Sequence, residues 1–141
     1  MRLPPVRLGG VLHRLPSEPA LLLPELYRLI SLLVSENERQ FRSGVVKPRP
    51  LLGSRIRYQR ERGREHWQTA AELQRSLRGD CEDLAAYEVA RLRVAGVRAA
   101  VTLEGTSAGY HAVCTLPDGR TWDPSLALGM GGGKDAVMGW Y

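Results

Sequence analysis

Leu22, Leu26, Leu29, Ile30 and Leu33 recur at intervals of three and four, which puts them on one face of a helix predicted over 18–41. Ser17, Glu18 and Pro19 give its start, Ser43-Gly44 its stop, and Pro24 a point where it can bend. Trp67, Ala70, Ala71 and Leu73 predict a short helix over 65–77. From Cys81 onward Ala85, Val89 and Leu92 share one face of a further helix that Gly96 ends. The period then changes. Val97, Ala99, Val101 and Leu103 alternate with Arg98, Ala100, Thr102 and Glu104, as a half-buried strand requires. A second strand is predicted over 110–116, a turn at Pro117-Asp118-Gly119-Arg120, and a third strand at Thr121-Trp122-Asp123 that Pro124 cuts off.

Helices followed by a small antiparallel sheet make an α+β fold. At 141 residues and 43% hydrophobic content the chain suits one domain. Pro4, Pro5, Gly9, Gly10 and Pro16 favour an extended arm over 1–16. The domain then runs over 17–130, and a glycine-rich tail over 131–141. Glycines this dense hold no regular element, so the Trp140-Tyr141 terminus is expected to be buried against the domain or a second copy, and the N-terminal arm to dock in the same way. The apolar stretch over 20–34 is interrupted by Pro24, Glu25 and Arg28, which argues against a membrane or signal segment and for a cytoplasmic protein.

Composition adds little to this. The net charge of +5 is almost wholly arginine, because only Lys47 and Lys134 are lysine. Arg55, Arg57, Arg60, Arg62 and Arg64 surround a single aromatic, Tyr58. That reads as a solvated or partner-facing basic loop rather than a nucleic-acid site, which would interleave basic residues with several aromatics. Two cysteines do not make a disulfide framework, and no paired-cysteine or His-x-x-x-His spacing supports a metal site.

Candidate chemistry centres on Gly79-Asp80-Cys81-Glu82-Asp83-Leu84. Gly79 is expected to permit unusual backbone angles, and Asp80 to cap a helix with Asp83 as its capping-box partner. Cys81 then falls at the first helical position, where free N–H groups and the helix dipole favour a thiolate. Asp80, Glu82 and Asp83 oppose it, so a cation such as a protonated histidine is needed. His111 and Asp123 are brought to one end of the sheet by the hairpin. His111 shares a strand face with Val113, whereas Tyr110, Ala112 and Cys114 take the other face. This leaves Cys114 as a packing residue and makes a Cys81–Cys114 disulfide unfavourable. His13 and His66 are expected at the surface. Cys81 as nucleophile, His111 as base and Asp123 as the group orienting its ring make a set suited to attack on an acyl carbon.

Three blocks, Gly79-Asp80-Cys81-Glu82-Asp83-Leu84-Ala85, Gly109-Tyr110-His111-Ala112-Val113 and Trp122-Asp123-Pro124-Ser125, resemble the signatures of the transglutaminase-like superfamily, of papain-like fold, over about 67–130. The resemblance implies a catalytic Cys81, His111 and Asp123, a thioester acyl-enzyme formed on a protein or peptide substrate, and no metal or organic cofactor. It also implies a donor to the oxyanion from an upstream segment, for which Trp67 and Gln68 are the candidates, beside the nucleophile's own N–H. The superfamily includes cross-linking enzymes, peptidases and amidases. Small bacterial and bacteriophage forms also occur, some with assembly roles. Two classes of function therefore stand: a cysteine hydrolase or acyl transferase, and a structural component of a virion or other assembly that uses the fold for docking.

Overall fold

A computed structural model describes residues 4–60, 65–106 and 109–130. The described chain is mixed α and β. It carries helices α1 (Pro19–Ser43), α2 (Ala70–Ser76), α3 (Cys81–Val94) and α4 (Pro124–Ala127). Its strands are β1 (Val6–Leu8), β2 (Val11–His13), β3 (Arg57–Tyr58), β4 (Glu65–Trp67), β5 (Arg78–Gly79), β6 (Ala100–Thr106), β7 (Gly109–Thr115) and β8 (Thr121–Trp122). They form three small sheets, ordered β2-β1-β4, β3-β5 and β6-β7-β8.

The long helix forms where the periodicity places it. Pro19 occupies its first turn and Gly44, at φ +82°, ends it with its N–H donating to the Phe41 carbonyl. Leu26, Leu29, Ile30 and Leu33 are all buried, each worth about 2 kcal/mol relative to exposure. The same face goes on through Val34, Asn37, Gln40 and Phe41. Asn37 and Gln40 accept hydrogen bonds from the Ala70 and Ala71 N–H groups at 2.7 and 2.9 Å, so α1 satisfies two of the orphan donors at the start of α2.

The third helix is the centre of the molecule, not an amphipathic surface helix. Every residue over 81–90 is buried, Glu82, Asp83 and Glu88 included, because α1 packs on one side and the β6-β7 sheet on the other. Arg91 neutralises Glu88 through two hydrogen bonds of 2.6 and 3.0 Å. Burial on all sides removes the single apolar stripe that the period of Ala85, Val89 and Leu92 suggests.

Other expectations are corrected. Residues 1–16 do not stand off as an arm over their described part: β1 and β2 form a hairpin, Val6 and Leu8 join the core, and β1 runs parallel to β4. The prolines and glycines bound short strands here, Gly9 and Gly10 supplying the positive-φ turn. The helix expected over 65–77 starts late, since 65–67 pair with β1 and Thr69 caps α2 in a capping box with Glu72. Pro124 does not simply end a strand but opens α4, with Asp123 as its cap. The Pro-broken connector is fixed by Tyr87, whose hydroxyl donates to the Arg49 carbonyl at 2.7 Å and accepts from Gln74 at 2.9 Å. The tail at 131–141, with its expected docking of Trp140 and Tyr141, lies outside the described residues, as do Arg62 and Arg64. Among the described residues no helix is long and apolar enough to cross a membrane.

Candidate active site

Asp80 caps α3 as the sequence pattern requires. Its Oδ1 accepts from the Cys81 N–H at 2.8 Å, and the Asp83 carboxylate reaches back to the Asp80 N–H at 3.1 Å. Gly79 plays a different part from the one expected. It has no positive φ, but a Cβ there would lie 2.7 Å from Leu73 Cδ1 and 3.2 Å from the Asp83 Cβ. The glycine is required by the closeness of α2 to the start of α3 rather than by backbone angles.

Cys81 is the first residue of α3 and is 7% exposed. Burial and the Glu82 carboxylate push its thiol well above the ordinary range, and the Ala112 backbone N–H pulls the other way. The donor atoms of Asp80, Cys81 and Glu82 all lie within 4.8 Å of one another. They are the group through which the described residues could hold a cation, but Asp80 is committed to the Cys81 N–H and one Glu82 oxygen to Tyr110. The Cys81 thiol rests neutral beside carboxyl groups.

His111 lies on β7 and donates from or accepts at Nε2 with Asp123 Oδ2 at 2.7 Å. That bond is the main reason the imidazole is raised above its ordinary 6.5, with Glu104 and Glu82 adding to it. Asp123 is held at both oxygens, because Oδ1 accepts from the Leu126 N–H at 3.1 Å as the cap of α4. Cys81 and His111 line one cleft of about 580 Å³, although no hydrogen bond joins thiol to ring among the described residues. Cys114 is the packing residue expected, meeting the Ala85 carbonyl of α3 at 3.6 Å as a free, fully buried thiol, whereas Tyr110, expected on the face opposite His111, lines the same cleft. Thiol and imidazole nevertheless share a cleft because β8 pairs only with Cys114 and Thr115, leaving the earlier part of β7 without β8 beside it where the Cys81 thiol meets Ala112.

Neither upstream oxyanion candidate faces this cleft. Trp67 is buried with its indole N–H donating to Glu65 at 3.2 Å, and Gln68 spends its amide on the Arg78 carbonyl at 2.7 Å and on Asp83 at 3.2 Å. They build the site indirectly: the Gln68 backbone N–H also donates to Asp83 at 2.7 Å, so Asp83 ties that segment to the start of α3. Of the two other histidines, His66 is half-buried and bonded to Glu72 at 2.9 Å.

Tyr58, Tyr110 and Glu82, none of them assigned a catalytic part by the sequence, complete the cleft. Tyr58 arrives because β3 runs parallel to β5 with Tyr58 beside Gly79, and burial with nearby Asp80, Cys81 and Glu82 pushes its hydroxyl up to about 12. Tyr110 donates to Glu82 at 2.9 Å, and the second Glu82 oxygen is buried without a partner. Burial and the charges of Asp80 and Glu65 raise Glu82 to about 7. Tyr58 depends on a pairing between distant segments, for which a sequence carries no periodic signal. No family model, curated protein or solved structure matches this chain.

Proposed function

We propose that the chain is a cysteine-dependent acyl-transfer or hydrolytic enzyme acting on peptide or amide bonds, built on a transglutaminase-like variant of the papain-like fold. The observation that carries it is the Asp123–His111 pair set in the same cleft as a cysteine at a buried helix start. Asp123 favours the tautomer with a proton on Nε2, which leaves Nδ1 as the base. As the Cys81 sulfur attacks the acyl carbon, its proton passes to Nδ1 and a sulfur–carbon bond forms. Collapse of the tetrahedral species breaks the carbon–nitrogen bond, and His111 gives its proton to the departing amine. Water or a second amine then takes the acyl group from the thioester, again losing a proton through His111. The raised thiol pKa favours general-base removal of the proton during attack over a standing thiolate–imidazolium pair. Tyr58, in the cleft and protonated to about 12, serves better than Trp67 or Gln68 as the oxyanion donor. The reaction needs no cofactor and belongs in a reducing compartment such as the cytoplasm.

The test is labelling by a thiol-directed acyl probe at neutral pH followed by peptide mass mapping. Modification confined to Cys81 and lost in His111→Ala supports the reading. Equal labelling of the His111→Ala protein sinks it.

A second reading, a docking or assembly component such as one of a virion, has its own observation. Val11, Leu12, Leu21 and Leu23 are 56%, 49%, 54% and 46% exposed on β2 and the first turns of α1. Apolar side chains grouped in this part of the chain suit contact with a second copy or a protein partner. Light scattering of the full chain against Leu12→Lys and Leu21→Lys variants separates a constitutive assembly from a monomer.

A further inference from the structure

We propose that the cleft takes its substrate by an apolar, uncharged acyl side chain seated on Val6, Leu15, Leu22 and Leu26. This rests on the acyl-transfer reading above and names its substrate class. Val6 and Leu26 belong to the core and are almost wholly buried, so they form a fixed base. Leu15 and Leu22 pack against that core but are only partly covered, and both line the cleft that holds Cys81 and His111. All four come from segments before the signature region, namely β1, the stretch after β2, and α1.

The size and charge of the cleft point the same way. At about 580 Å³ it falls within the range of small-molecule sites, roughly 300–1,000 Å³. Its lining sets the carboxyl groups of Glu65, Asp80 and Glu82 against Arg60 and His111. An anionic acyl group would meet those carboxylates in a partly desolvated site, whereas an aliphatic or aromatic one meets the leucines. Transfer of each methylene onto such a wall is worth ~4-fold in rate or affinity.

The experiment uses the full chain and a series of p-nitrophenyl esters of N-acetylated alanine, leucine, phenylalanine, glutamine and aspartate, reading the nitrophenol burst. The leucine and phenylalanine esters should acylate Cys81 at least ~10-fold faster than the alanine ester, with aspartate slowest, as three added methylenes at ~4-fold each allow. Leu22→Asp and Leu15→Asp, each checked for an unchanged melting temperature, should cut the leucine-to-alanine ratio toward one. A glutamine or aspartate ester faster than the leucine ester, or a ratio that neither variant alters, overturns the proposal. A binding arm separates it from the chemistry. Cys81→Ala protein should take up N-acetyl-leucinamide more tightly than the aspartate amide, followed by shifts of the Met130 methyl resonance. Equal binding of the two amides overturns the proposal. Preference for the leucine amide without acylation by any ester supports the pocket and removes the acyl-transfer reading instead.

Discussion

Replacing Glu82 with glutamine should change stability in a way that depends on pH and has a defined sign. Glu82 is almost completely buried, takes one hydrogen bond from Tyr110, and leaves its other oxygen without a partner. In the unfolded chain it ionises near its ordinary 4.5, and in the fold it keeps its proton to about 7. Between those values the folded chain binds more protons than the unfolded one. The wild-type protein therefore loses stability as pH rises from about 4.5 to about 7, and no further above that. At about 1.36 kcal/mol per pH unit, the loss from this group is about 3 kcal/mol. Glutamine keeps an acceptor for Tyr110 and cannot ionise. Whatever fixed cost its amide N–H₂ carries in the unpartnered position, the difference between variant and wild type should grow by about 3 kcal/mol from pH 4.5 to pH 8 in favour of the variant. Urea denaturation at pH 4.5, 6, 7 and 8 measures that difference, in which all other titrating groups largely cancel. A difference constant to within about 1 kcal/mol over this range would refute the reasoning. Because Glu82 also raises the Cys81 thiol, iodoacetamide should alkylate Cys81 faster in the variant at pH 8.

Cys81→Ala should remove acyl transfer while costing less than about 1 kcal/mol, whereas Cys114→Ala, fully enclosed against Ala85, should cost about 1–2 kcal/mol and leave the chemistry intact, as thermal melts beside burst assays would show. Asp123→Asn keeps a capping side chain but removes the carboxylate that raises His111. The rise of rate with pH, placed above 6.5 in the wild type by loss of the His111 proton, should move to lower pH while the plateau falls about 10²-fold or more; a pH profile that shifts the other way contradicts the pairing. Gly79→Ala should cost about 1–3 kcal/mol from overpacking alone, since the new Cβ meets buried Leu73 at 2.7 Å, and an unchanged urea midpoint would show that α2 and α3 are less tightly joined than described.

The sequence by itself determined what is written in short range. The 3.6-residue period of Leu26, Leu29, Ile30 and Leu33, the Gly44 stop, the Asp80–Asp83 capping box with Cys81 at the first helical position, and the hairpin through Asp118 and Gly119 all stand within a few residues of their causes. The hairpin turn brings His111 and Asp123 to one end of the sheet, but its register ends at Cys114 opposite Trp122, so their hydrogen bond is made past the paired strands, from the cap of α4. Tertiary structure alone decided the rest. Which side chains share the cleft with Cys81 depends on parallel pairings between segments tens of residues apart: β1 on β4 carries Val6 into the core beside the cleft, and β3 on β5 brings Tyr58 beside Gly79. Trp67 and Gln68 show the limit from the other side. Their residue types suit an oxyanion donor, but their N–H groups are spent on Glu65, Arg78 and Asp83, partners that no local pattern assigns. Burial likewise sets the protonation of Cys81 and Glu82, because a carboxylate's or thiol's charge is costly only once the surrounding chain has removed the water.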